Sequence, residues 1–258
     1  PEEVEQLTEF VADLLDGQVL SRDELVSELV RDKRFKGMEK QLRSGWGALL
    51  KPLAWQGALC YCPSSSSKAT FTHPASFLTN WNGLPDPAEA APAVITRYLS
   101  AYGPATPETF DAWLSRNSNR KSTLRGWFAS LGEQVVEVRV EGETRYLLAE
   151  HADELAATRP SRATHLLGAF DQFVLGPGTK DTHMLAHEHR PLVSKAAGWI
   201  APVLTRGGRI TGVWDMDDGN LVVTPFPGEQ APPSKVLEDA AARLAAVHGS
   251  VKVAPRVD

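Results

Sequence analysis

Cysteine is scarce in this sequence: Cys60 and Cys62 are the only two among 258 residues. A two-residue spacing offers no disulfide framework and fits a reducing compartment. No run of 18 apolar residues occurs, which excludes a helical membrane span, and the start lacks the charged-then-apolar layout of a signal peptide. A soluble, cytoplasmic protein is expected. An excess of positive charge is also missing. The 27 Lys and Arg face 32 Asp and Glu, and the net charge of −5 excludes a histone-like DNA packer while leaving room for a local basic patch. No Gly-x-Ser-x-Gly elbow, P-loop or dinucleotide fingerprint occurs, so hydrolase, kinase and dehydrogenase chemistry have no motif behind them. What is present is an ordinary globular composition, 42% hydrophobic and 23% charged, long enough for two domains or three small ones. The chain opens at Pro1 without Met, directly in a helix-like stretch, so a fragment or processed product is expected.

Val4, Leu7, Val11, Leu14 and Leu15 fall at helical spacing before Gly17. Ser21-Arg-Asp-Glu24 reads as a capping box ahead of a second helix carrying Leu25, Val26, Leu29 and Val30. A third helix is expected to bury Met38, Leu42, Trp46, Leu49 and Leu53, with a kink or end at Pro52 and a stop at Gly57. Residues 58–61 and 69–72 flank Pro63 and the serines Ser64 to Ser67, which predicts a hairpin with a flexible tip. Three helices and a hairpin make a winged-helix layout over residues 1–81. A linker over 82–92 then leads to a second such unit, residues 82–160. Its first helix carries Val94, Ile95, Tyr98, Leu99 and Tyr102 and stops at Gly103. Thr106 caps the next, with Pro107 at its first position and Phe110, Trp113 and Leu114 on its apolar side. A helix near 121–131 buries Leu124, Trp127, Phe128 and Leu131, and a hairpin turning at Glu141-Gly142 follows. Residues 161–258 read as an antiparallel meander, with strands at 199–204, 209–216 and 221–226. Ser234 then caps a helix with Leu237, Ala241, Leu244 and Val247 inward, and 251–253 supply a last strand. The expected fold class is α+β: tandem winged-helix units followed by a small antiparallel β-rich C-terminal domain.

The sharpest candidate site is the run Arg116, Asn117, Asn119, Arg120, Lys121, Ser122, Thr123 and Arg125, with no acidic residue between Asp111 and Glu133. It falls where a winged helix places its recognition helix, and these side chains contact phosphates and base edges. Lys36, Lys40 and Arg43, with Lys33 and Arg34, form a second basic set diluted by Asp32 and Glu39. His183 and His187 have the i, i+4 spacing that pairs metal ligands on a helix, near His165 and His189, but no Glu follows His183 as a zinc-protease motif demands. A polar surface element is the favoured reading, as a plain strand pair is for Cys60, Cys62 and His73. No metal or cofactor is expected. Asp171, in Ala169-Phe-Asp-Gln-Phe173, reads as a turn carboxylate bonded to backbone amides in preference to a proton-transfer group.

Three blocks carry a resemblance: Arg97-Tyr-Leu-Ser-Ala-Tyr-Gly-Pro-Ala-Thr-Pro-Glu-Thr-Phe110, Leu166-Leu-Gly-Ala-Phe-Asp-Gln-Phe-Val-Leu-Gly176 and Pro202-Val-Leu-Thr-Arg-Gly-Gly-Arg-Ile-Thr-Gly-Val-Trp214. They resemble the bacterial winged-helix DNA-binding proteins that include the interstrand-crosslink DNA glycosylases. The resemblance implies tandem winged helices on double-stranded DNA with a β-rich C-terminal domain, and, in active members, hydrolysis of the N-glycosidic bond of alkylated or crosslinked purines. It also implies a catalytic Gln-x-Gln or Gln-x-Asp in a winged helix preceding the region seen here. Neither motif occurs in this sequence, so no catalytic residue is carried over. Asp215 departs from the basic residues the resemblance leads one to expect after Trp214. The expectation is therefore a monomeric DNA-binding repair protein. A DNA glycosylase and a winged-helix protein-interaction module are the alternatives.

Overall fold

The computed structural model describes residues 2–44, 47, 49–64, 68–159, 161–248 and 255–257, with side chains described as far as 246. It is an α+β protein of two compact units, Pro1–Glu89 and Ala90–Asp258. In the first, α1 (Glu2–Leu15) buries Leu7, Val11 and Leu15 on one face. After the short strand β1 (Leu20–Ser21), α2 (Arg22–Leu29) starts on the expected capping box. The Ser21 hydroxyl accepts the Glu24 N–H, and the Glu24 carboxylate accepts the Ser21 N–H at 2.8 Å. The Ser21 hydroxyl also contacts the Glu24 carboxylate at 2.7 Å, and that bond, followed by the one from the Ser21 N–H, holds the Glu24 carboxyl below its ordinary range.

The single third helix expected over 38–57 is not formed. The chain makes a 3-10 turn at Lys36–Met38, then α3 (Glu39–Leu42) and α4 (Leu50–Trp55). Gly47, at φ 63°, takes the left-handed conformation between them, which no helix can continue through. Pro52 neither kinks nor ends a helix. It lies in the first turn of α4, where its missing N–H forfeits no helical bond. Trp46 lies outside the described residues. The hairpin forms as β2 (Cys60–Cys62) and β3 (Thr70–Thr72), and β1, not anticipated, adds a third strand in the order β1-β3-β2. Ser65 to Ser67, the expected tip, lie outside the described residues. Leu25, Leu29, Phe35, Leu53 and Phe71 complete the core against α1, and α5 (Pro74–Phe77) closes the sequence of elements before residue 80.

The helix α6 (Pro87–Tyr102) starts inside the segment read as a linker. Pro87 suits a first helical position, Asp86 Oδ1 accepts the Ala88 N–H at 2.7 Å, and Pro92 lies within the helix. α7 (Pro107–Ser115) and α8 (Lys121–Ala129) pack on α6 through Ile95, Tyr98, Phe110, Leu124 and Phe128. The hairpin β4 (Val135–Val140) and β5 (Glu143–Leu148) turns at Glu141 and Gly142, both at positive φ. α9 (Ala152–Ala157) follows.

The remaining chain builds one five-stranded sheet from β6 (Thr164–Leu167), β7 (Val203–Arg206), β8 (Arg209–Asp217), β9 (Asn220–Pro225) and β10 (Pro255–Val257), in the order β10-β9-β8-β7-β6. It is not wholly antiparallel, because β10 runs parallel to β9. β6 went unread in the sequence, and the segment 199–202 contributes only the isolated bridge at Ile200 where a strand was expected. Residues 251–253 lie outside the described residues. On one face of the sheet Leu237 and Ala241 of α12 (Ser234–His248) pack on Trp214 and Val223. On the other, Val174 of α10 (Gln172–Leu175), Val193 of α11 (Arg190–Val193) and Phe226 pack on Val203 and Ile210. Val203, Leu204 and Thr205 are therefore buried in succession, as in a strand covered on both sides.

Gly176 couples this sheet layer to α6. The Tyr98 hydroxyl donates to its carbonyl at 3.2 Å, and a Cβ placed on Gly176 collides with the Tyr102 ring. Gly176→Ala is expected to lower stability by about 1 to 3 kcal/mol through overpacking. Gly126→Ala, in α8 where a Cβ meets nothing within 4 Å, is expected to raise it by about 0.5 to 1 kcal/mol. Urea unfolding followed by circular dichroism reads both signs.

Candidate nucleic-acid interface

The segment from α7 to α8 is organised by Asp111, whose residue surface is 2% exposed. Its carboxylate accepts the Ser115 hydroxyl at 2.5 Å and the Asn119 amide at 2.7 Å, while its backbone carbonyl accepts the Asn117 N–H at 3.3 Å. Ser115 Oγ in turn accepts the Ser118 N–H at 3.1 Å and the Asn119 amide at 3.1 Å. A buried carboxylate without such donors is strongly disfavoured, so the loop folds around it. Arg116 (φ 58°) and Asn117 (φ 66°) take successive left-handed conformations to make the turn, ordinary for Asn but uncommon for Arg.

The consequence is a fixed display of cations. Arg116, Arg120, Lys121 and Arg125 are all exposed, and among the described residues none takes part in an ion pair. No side chain caps α8, so its first amides are unoccupied by the chain itself, next to Arg120 and Lys121. Asn119, expected at the DNA surface, is instead turned inward onto Asp111, because the buried acceptor claims its amide. Trp113 and Leu114, expected to be buried, are 39% and 44% exposed, while Asp111 takes the inward position on that helix. In the first unit Arg43 is bonded to Glu39 at 2.9 Å and to Asp23 at 3.2 Å, and Arg34 to Asp32 at 2.7 Å. Of that set Lys33, Lys36 and Lys40 are exposed and outside every ion pair of the described residues.

The histidine pair does not form a ligand set. Residues 183–186 are turn and loop, not helix, and His187 begins a separate 3-10 turn. His183 instead joins a network that sequence reasoning missed. Arg145, with an 11% exposed side chain, reaches Glu143 at 3.1 Å and the 7% exposed Asp181 at 3.4 Å, and its NH2 lies 2.9 Å from His183 Nδ1. His183 Nε2 and Arg209 both reach Glu141, each at 3.4 Å. This network ties the β4–β5 hairpin to the turn at 181–183 and borders a cleft of about 550 Å³ lined by Thr109, Lys180 and Arg145. Alternation in β5 put Arg145 between Thr144 and Tyr146 without revealing that it is buried. Asp171 caps α10, accepting the Phe173 N–H at 2.8 Å. Cys60 and Cys62 are free thiols on β2, and burial pushes the Cys60 thiol up from its ordinary pKa. His73 Nδ1 accepts the Ala75 N–H at 3.3 Å. Among the described residues no three His, Cys, Asp or Glu side chains gather to hold a metal, and no helix is long and apolar enough to cross a membrane.

Residues 1–247 match a protein family described as DNA glycosylase AlkZ-like. The chain is 56% identical over its whole length to the interstrand DNA cross-link repair glycosylase of Streptomyces sahachiroi, of which it covers 70%. The solved structure of Streptomyces sahachiroi DNA glycosylase AlkZ aligns with a TM-score of 0.92 at 56% identity, over 100% of this chain and 70% of that one.

Asp111→Ala is expected to cost about 2 to 3 kcal/mol, because it strands the Asn119 and Ser115 donors. Asp111→Asn keeps an acceptor and is expected to cost less. Denaturant melts give the order, and amide spectra should place the largest shifts at residues 115–120.

Proposed function

The chain belongs to the AlkZ-like DNA glycosylase family, and from that membership we propose that it grips double-stranded DNA within a DNA repair glycosylase acting on alkylated or crosslinked bases. The glycosylase reading thereby takes precedence over that of a plain DNA-binding protein. The proposed architecture is a winged-helix unit at 1–81, a second at 82–160 and a β-rich domain at 161–258, acting as a monomer. The packing of α6, α7 and α8 beside the β4–β5 hairpin supports the second unit. The fit is looser in the first, where the third helix is broken.

The observation that carries the reading is the set of four exposed cations, Arg116, Arg120, Lys121 and Arg125, outside any ion pair of the described residues and held by the Asp111 turn. Phosphates supply the binding energy for such a set, and each contact releases counterions, so affinity falls with salt. Asn119 shapes the turn; within the first unit, taken by itself, Lys36 and Lys40 are open to phosphate and Arg43, already paired, adds little. An N-alkylated base leaves as a neutral group, so its hydrolysis asks for an oriented water and stabilisation of positive charge on the sugar. No residue between 1 and 258 is assigned that step, and no cofactor is called for.

Fluorescence anisotropy on a duplex of about 20 base pairs across a salt series tests this. Arg120→Ala, Lys121→Ala and Arg125→Ala are each expected to lower the salt slope by roughly one. A duplex affinity that is absent at low salt, or that these changes leave untouched, overturns the proposal.

A further inference from the structure

Two large aromatic side chains stand outside both cores of the C-terminal sheet, at the end where β6 leaves and β7 enters. Phe170 is 40% exposed and Trp199 is 52% exposed, yet the rings touch, with centroids 5.0 Å apart and planes at 84°. Each is presented on a turn with an uncommon backbone. Phe170 has φ 58° at the third position of the turn closed by the Asp171 N–H on the Gly168 carbonyl, a place that favours Gly or Asn. Trp199 follows Ala197 (φ 56°) and Gly198 (φ 77°) in a loop closed by a bridge between Ser194 and Ile200. Within it the Lys195 N–H donates to the Trp199 carbonyl at 2.8 Å. Non-glycine residues at positive φ persist where surrounding structure enforces them, and such strain clusters at binding sites. Burying the rings would be the ordinary outcome for apolar groups of this size. Here two strained turns hold them out.

We propose that the Phe170–Trp199 pair is a stacking platform for an unpaired nucleobase, with the exposed Lys195 supplying charge for the adjoining phosphate. The proposal rests on the reading that the chain binds DNA. Two perpendicular rings brace each other, and about half of Trp199 stays open to solvent, an aromatic surface of the kind on which any base stacks regardless of sequence. Lys195 is in no ion pair of the described residues, and Asp171, the acid within 168–173, is occupied by the Phe173 N–H. Lys195 is thus the cation left open to a phosphate, while the Asp171 carboxylate keeps its charge and is held against its own backbone. A duplex distorted by a lesion offers the displaced base that an intact duplex withholds.

The test uses two duplexes of about 20 base pairs, one fully paired and one carrying 2-aminopurine opposite an abasic-site analogue. The unpaired-base duplex is expected to bind at least about fivefold more tightly, with 2-aminopurine fluorescence quenched. Trp199→Ala is expected to abolish both the preference and the quenching while leaving affinity for the paired duplex unchanged, and Trp199→Phe to retain part of each. Phe170→Gly relieves the backbone strain and removes the ring, so it should lose the preference without loss of stability. Equal affinity of the unaltered chain for both duplexes, or a preference that survives Trp199→Ala, overturns the platform alone. Absence of binding to either duplex overturns the platform and the DNA reading together. Self-association seen by light scattering and lost in Trp199→Ala, with the DNA preference intact, assigns the rings to a second copy and also overturns it.

Discussion

Asp111 has lost the water that would solvate its charge, and the connection between α7 and α8 is arranged to replace it. Ser115 and Asn119 donate to the carboxylate, Ser115 accepts from the Ser118 amide, and the Asp111 carbonyl takes the Asn117 amide. Each partner fixes a backbone position, so that satisfying one buried acid determines the path of residues 115 to 119. The cations follow as a consequence. Arg116, Arg120, Lys121 and Arg125 project from a segment whose own acid is internal and fully engaged, which leaves their charge for something outside the chain.

That arrangement reconciles a net charge of −5 with a polyanionic ligand. Overall charge governs long-range encounter, whereas affinity comes from the cations that touch phosphate. In the first unit Arg43 and Arg34 have acidic neighbours within the same turn or the next helix, and their charge is spent locally. Between Asp111 and Glu133 the sequence offers no such neighbour. The two basic sets therefore differ in their arginines, which are paired in the first and open in the second. The Arg145 network plays a comparable part for the β4–β5 hairpin, since Glu141, Glu143 and Arg145 in its tip half are held against the 181–183 turn.

Much of this was legible in the chain where a local rule decides the outcome. The Ser21 and Thr106 caps, the turn at Glu141-Gly142 and the helices α7 and α8 follow from short-range chemistry, and the family resemblance rests on contiguous blocks. What escaped depended on distant contacts. The break between α3 and α4 was hidden because Leu42, Leu49 and Leu53 keep helical spacing across it, which outweighed the signal of Gly45 and Gly47. β6 is four residues long and its Thr-His-Leu-Leu run shows no apolar–polar alternation, so only pairing with β7 makes it a strand. Asn119 was read as a reader of DNA because its inward turn depends on the burial of Asp111, which the charge pattern does not reveal. Arg145 and Asp181 are far apart in sequence and meet only through the fold.

The most direct measurement is an amide and arginine side-chain NMR titration of the isotope-labelled chain with a duplex of about 20 base pairs. The largest shifts are expected at residues 116–125, including the Nε resonances of Arg116, Arg120 and Arg125, and they should collapse as salt is raised. Shifts that spare this segment and gather elsewhere on the chain would contradict the assignment of DNA to the turn that Asp111 holds.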